Sequence, residues 1–158
     1  MTKRILVVED EASNMHVIAM SLALLGYGVI EASDPEAGLA LAVSEQPDVI
    51  LMDLTFAGSA LDGLEAIRRL KAHPLTCTIP VVAQTASVLD YAQAAVAAAG
   101  GDALLHKPFK RKQLVEALLA VMPGAVVPGA ASPGARFAAH GPADTCIRHT
   151  TIAANGLT

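Results

Sequence analysis

Apolar residues over the first 122 positions fall into two alternating patterns. Short continuous runs form the first: Ile5-Leu6-Val7-Val8, Val49-Ile50-Leu51-Met52, and the briefer Val29-Ile30, Val81-Val82-Ala83 and Ala103-Leu104-Leu105. Unbroken runs of this length predict strands buried on both faces. Between them, apolar residues recur at helical spacing. Ser13 to Leu25 predicts a helix with Val17, Met20, Leu24 and Leu25 as its inner stripe, closed by Gly26. Asp34-Pro35 predicts an N-cap with proline at the first helical position, and Leu39 and Val43 give that helix its buried stripe. Leu64, Ile67 and Leu70 mark a third helix, with Arg68, Arg69 and Lys71 on its outer side. Ser87 is the expected cap of an alanine-rich helix running to Ala99 and stopped by Gly100-Gly101. Leu114, Leu118 and Leu119 mark a fifth helix ending near Met122. Five strand–helix units in alternation predict an α/β fold with a mainly parallel sheet.

The pattern stops at Pro123. From there Pro-Gly-Ala recurs three times, at Pro123, Pro128 and Pro133, and the charged residues are only Arg136, Asp144 and Arg148. Residues 123–158 therefore read as a flexible tail and residues 3–122 as one domain. Of the 158 residues 53% are hydrophobic, a value that suggests a membrane protein until its source is seen. Alanine contributes 31 residues, and the longest uncharged run, Ala117 to Ala135, is broken by three prolines. Asp10 and Glu11 arrive too early for a signal segment, so the expected compartment is the cytoplasm, without membrane insertion.

Charge sharpens the picture. Residues 3–122 carry nine Lys or Arg against fourteen Asp or Glu, a net of −5, and the tail adds +1 to give −4 overall. The densest basic cluster is Lys110-Arg111-Lys112, and aromatics are 3% with no Trp, which argues against direct nucleic-acid binding. The two cysteines, Cys77 and Cys146, form no CxxC pair and read as reduced thiols.

In an open parallel sheet, ligands bind at the carboxyl ends of the strands. Glu9-Asp10-Glu11 ends the first strand, Asp53 the third, Thr85-Ala86 the fourth and Lys107-Pro108 the fifth; the second ends at Glu31 and reads as an edge. Crowded carboxylates repel one another, and a hard divalent cation such as Mg²⁺ is the usual compensation. Asp10 alone reads equally well as a helix cap and Lys107 alone as a solvated residue, but neither reading accounts for the set.

These residues in this order resemble a response regulator receiver domain. The resemblance rests on Glu9-Asp10, on Asp53 after Val49-Ile50-Leu51-Met52, on Asp62-Gly63-Leu64, Thr85-Ala86, Gly100-Gly101-Asp102 and Lys107-Pro108-Phe109, and it covers residues 3 to 122. Asn14 adds a likeness to single-domain receivers of the cell-division type and to those of hybrid kinases. The resemblance implies a flavodoxin-like (βα)5 doubly wound sheet of strand order 2-1-3-4-5. It implies that Asp53 accepts a phosphoryl group from a histidine kinase or histidine phosphotransfer protein. It also implies Mg²⁺ held by Asp10, Asp53 and the backbone carbonyl of Thr55, with Glu9 acting through metal-bound water. Thr85 and Lys107 would contact phosphoryl oxygens, the Lys107–Pro108 bond would be cis, and the signal would pass to a downstream protein target.

The sequence departs from the family pattern at two places near the site. Between Asp53 and Asp62-Gly63 the loop is two residues longer than usual, with Ala57 where the family carries Pro. Leu104 stands where the family often has Tyr or Phe. Both departures keep open a receiver-like binding module that acts independently of phosphorylation. A phosphatase of the haloacid-dehalogenase type would want a second Asp two residues after Asp53, where this chain has Thr55. A flavodoxin-like nucleotide binder would want a Gly-rich loop after the first strand, and none follows. Cys146-x-x-His149 with His140 is too sparse for a structural metal site, and His16, His73 and His106 share no ligand spacing.

Overall fold

Five strands and five helices alternate in the computed structural model, which describes residues 2–87 and 90–122. They are β1 (Arg4–Val8), α1 (Ala12–Leu24), β2 (Gly28–Ala32), α2 (Pro35–Glu45), β3 (Val49–Asp53), α3 (Gly63–Ala72), β4 (Val81–Thr85), α4 (Asp90–Ala99), β5 (Ala103–His106) and α5 (Arg111–Val121). All pairings are parallel and the order is β2-β1-β3-β4-β5, the doubly wound arrangement that the resemblance implies.

Strand alternation divides the core in two. Ile5, Val7, Leu51 and Val82 face α1 and α5, meeting Ile18, Leu22, Leu114 and Leu118. Leu6, Val8, Ile50 and Met52 face the other way, onto Ala42, Ile67, Leu70 and Val96 of α2, α3 and α4. The central strands β1 and β3 are thus covered on both faces, which is why their sequence is continuously apolar. Each such Leu, Ile or Val contributes about 1.5–3 kcal/mol by leaving water.

Local signals set several helix starts. Asp34 accepts the Ala37 N–H at 2.7 Å ahead of Pro35, and Asp62 accepts the Glu65 N–H at 2.8 Å. The helix α4 begins at Asp90, beyond the expected cap Ser87, and residues 88 and 89 lie outside the described set.

The faces of the helices differ from the sequence expectation at three points. In α1 the buried residues are Met15, Ile18 and Leu22, while Val17, Met20 and Leu24 are 64%, 52% and 68% exposed. Helix α1 carries no charged residue and has apolar residues on both halves, so the pattern supports two registers and packing against β1 selects the other one. In α2, Pro35, Gly38 and Ala42 are buried, with Leu39 and Val43 only half-buried at the margin. The small residue is needed there, because a Cβ on Gly38 would lie 2.7 Å from a Val8 methyl. Lys71, expected on the outer side of α3, is buried. Its ammonium donates to the Ile79 carbonyl at 2.8 Å and to Asp102 Oδ2 at 3.0 Å, and the same Asp102 oxygen accepts the Val81 N–H at 2.9 Å.

Cys77 is buried in the turn after α3, its Sγ 3.5 Å from the Pro74 carbonyl oxygen. Cys146, the Pro-Gly-Ala repeats and the whole tail expected over 123–158 lie outside the described residues. Among the described residues, no helix is long and apolar enough to cross a membrane.

Candidate functional site

The sheet's carboxyl end continues past its strands by backbone bonds. Glu9 N–H donates to the Ala32 carbonyl at 3.0 Å, Leu54 N–H to Gln84 at 3.0 Å, and Lys107 N–H to Thr85 at 2.7 Å. These bonds fix the residues just after each strand, which are the ones the sequence singles out. Asp53 is held from beneath as well. A Cβ on Gly63 would fall 2.0 Å from the Asp53 carbonyl oxygen and 2.6 Å from Leu54 Cα, so α3 can start against this backbone only with glycine.

Glu9, Asp53 and Thr85 are buried, Lys107 is half-buried and Asp10 is exposed. One oxygen each of Glu9, Asp10 and Asp53 lie within 4.8 Å of one another. Lys107 Nζ bridges two of them, donating to Glu9 Oε2 and to Asp53 Oδ2, both at 2.6 Å. The other Asp53 oxygen, Oδ1, accepts the Thr55 N–H at 3.0 Å. Thr85 Oγ1 accepts the Ser87 N–H at 3.0 Å. The structure thus brings Glu9, Asp10, Asp53, Thr55 and Lys107 together around one point, with Thr85 on the adjoining strand end. The Lys107–Pro108 bond is cis.

Burial pushes the Glu9 carboxyl above its ordinary range; the bonds from Lys107 and the Glu11 N–H oppose this, and the charge of Asp53 adds to it. Burial works against the Lys107 charge, yet its bonds to Asp53 and Glu9 and their negative charge outweigh it and hold the ammonium above the ordinary lysine value. Three carboxylates against one ammonium leave an excess of negative charge. A compact set of hard oxygens with one exposed member suits a divalent cation of the Mg²⁺ type, which keeps several waters.

The longer loop after Asp53 is anchored rather than loose. Phe56 and Leu61 are buried in the core on the α2–α4 side, and Ala57 and Gly58 between them are exposed, with Gly58 at φ +75°. Ala57 N–H donates to Asp10 Oδ2 at 3.1 Å, a contact between residues 47 apart. The sequence carries its one signal, a residue with an N–H where the receiver pattern has proline. Gln84 also escapes sequence reasoning. It is paired in register with Asp53, is fully buried, and its side-chain Nε2 and Oε1 have no hydrogen-bond partner among the described residues.

The remaining candidates are placed elsewhere or take minor roles. Leu104 is half-buried against the core on the α2–α4 side. His16 lines a cleft of about 480 Å³ beside Glu9, Asp10, Glu31 and Ser33. His73 Nδ1 accepts the Leu75 N–H at 3.1 Å within a turn, and His106 is exposed at the end of β5. His140, Cys146 and His149 lie outside the described residues.

Comparison with known proteins gives a consistent picture. The family model for the response regulator receiver domain matches residues 5–119. The chain is 37% identical over 120 residues to the phosphate regulon transcriptional regulatory protein PhoB of Pseudomonas aeruginosa, covering 76% of this chain and 52% of that protein. It is 33% identical to protein PilH of the same organism, covering 77% of this chain and 98% of PilH. Among solved structures it resembles the receiver domain of a sensor histidine kinase from Pseudomonas aeruginosa PAO1, which has a magnesium ion coordinated in its active-site cleft. That likeness has 35% identity and a TM-score of 0.68, over 75% of this chain and 95% of the other. The chain spans about half the length of the PhoB-type relatives it matches.

Proposed function

The chain belongs to the response regulator receiver domain family, and from that premise we propose that it is a cytoplasmic phosphorelay module whose Asp53 accepts a phosphoryl group from a phosphohistidine. Residues 3–122 form the receiver in this reading. The observation that carries it is the Lys107 ammonium at 2.6 Å from both Glu9 and Asp53, inside a carboxylate set spanning 4.8 Å.

The chemistry follows from the arrangement. An Asp53 carboxylate oxygen attacks phosphorus in line; the P–O bond forms as the P–N bond to the donor imidazole breaks. Asp10, Asp53 and the Thr55 carbonyl would hold Mg²⁺, with Glu9 reaching it through water. When bound, the cation neutralises charge developing on the phosphoryl oxygens. Lys107 exchanges its bond to Asp53 Oδ2 for one to a phosphoryl oxygen, and the Thr85 hydroxyl donates to another. The two groups then stand differently at the rim, and a partner that prefers this arrangement shifts the population toward it.

The exposed Val17, Met20 and Leu24 of α1 form an apolar stripe on the helix that starts beside Asp10. We assign it to the phosphodonor protein, which must bring its histidine to Asp53 while excluding water. Output passes to a downstream protein by contact. Incubation with acetyl phosphate and Mg²⁺, followed by intact mass, should show one added phosphate. Omission of Mg²⁺ or the substitution Asp53→Asn should abolish it. Equal labelling of Asp53→Asn refutes the assignment.

A further inference from the structure

We propose that the backbone amide of Ala57 is a positioning group for the cation site, holding Asp10 and the loop that presents the Thr55 carbonyl in one fixed relation. The inference rests on the reading above, in which Asp10 and Thr55 are ligands. It deepens that reading by assigning a task to the altered loop.

The bond itself is explicit: Ala57 N–H to Asp10 Oδ2 at 3.1 Å. It occupies one oxygen of an otherwise exposed carboxylate and leaves the other to a cation. It also connects the two strand ends that supply the ligands, since Asp10 follows β1 and Thr55 and Ala57 follow β3. A second brace holds the loop from outside. Ser59 Oγ lies 3.2 and 3.3 Å from the two carboxylate oxygens of Glu36 on α2, and it accepts the Leu61 N–H at 3.2 Å. With Phe56 and Leu61 buried on either side, the loop is fixed at its feet, and its middle is tied to Asp10 and to α2.

The extra length of the loop and its Ala57 thereby become one feature. Proline at position 57 would have no N–H to donate. Alanine there supplies the donor, and Ser59 in the lengthened segment supplies the anchor. A hydrogen bond to a carboxylate at an exposed site is worth enough to change cation affinity about three- to tenfold.

The experiment is calorimetric titration of the full-length protein with Mg²⁺. Ala57→Pro removes the donor and should weaken binding about three- to tenfold, at an unchanged Mg²⁺ stoichiometry. Ala57→Ser keeps the N–H and should restore the parent affinity, which a purely steric role of the alanine would not predict. Binding by Ala57→Pro as tight as the parent overturns the proposal. A parent protein that binds no Mg²⁺ at all overturns the cation-site reading and this inference with it. An independent measurement covers a proline variant that fails to fold. Hydrogen exchange of the Ala57 amide should accelerate about tenfold in Asp10→Ala. Exchange indifferent to Asp10→Ala also overturns the proposal.

Discussion

Replacing Gln84 by methionine should make this protein more stable. Gln84 sits on β4 between Asp53 of β3 and Leu105 of β5, fully buried, with both polar atoms of its amide unpartnered among the described residues. A buried donor or acceptor without a partner costs about 1–3 kcal/mol. Two such atoms set an upper bound of about 6 kcal/mol, and a bridging water would return a large part of it. Methionine has nearly the same length and volume and no group to satisfy, so little is lost in packing. The expected net gain is about 2 kcal/mol, or about 6–10 °C in Tm for a domain of this size. Urea unfolding measures it, with the midpoint moving up and the m-value unchanged. A midpoint that stays or falls refutes the reasoning, because it means the amide is satisfied in solution by a group that methionine cannot replace.

Three further outcomes are expected. Gly63→Ala forces a Cβ to within 2.0 Å of the Asp53 carbonyl; it should cost about 3 kcal/mol in urea unfolding and slow acetyl phosphate labelling. The raised Lys107 value means the folded state holds that proton more tightly than the unfolded chain. Its stabilising contribution is present below the ordinary lysine value of 10.5 and lost as pH rises through the higher folded value. Alkaline melts of the metal-free protein should show this loss, and Lys107→Met should remove it. Met20→Asp in the exposed α1 stripe should slow phosphotransfer from a phosphohistidine protein about tenfold or more while leaving Tm and acetyl phosphate labelling unchanged. Equal slowing with both donors would place the defect at Asp53 instead.

What could be read from the sequence depended on how local each signal was. The strands were legible because β1 and β3 are buried on both faces, and burial of that kind writes an unbroken apolar run. Asp34-Pro35 and Asp62-Gly63 mark helix starts because capping acts within three residues. Asp53 and Lys107 were legible because each ends a strand and has a distinctive neighbour. Helix faces were harder to read. In α1, Met15, Ile18 and Leu22 alternate with Val17, Met20 and Leu24, and the polar residues Ser13, Asn14, His16 and Ser21 are all uncharged, so the polar side is faint. Lys71 looked like a surface charge because its partner Asp102 is 31 residues away. The Ala57 contact spans 47 residues, and only the missing proline hinted at it. Gln84 breaks the rule that buried strands are apolar, and no neighbour in sequence signals that exception.

The Lys71–Asp102 pair has a wider consequence. It ties α3 to the starts of β4 and β5, at the pole of the sheet opposite Asp53. Its ammonium is sheltered from solvent ions, whereas Asp10 at the other pole is open to them. Salt and divalent cations therefore reach Asp10 far more readily than they reach the Lys71 ammonium. The pair thus fastens α3 to the sheet at a point away from the carboxylate rim, where a cation bound at Glu9, Asp10 and Asp53 makes no contact.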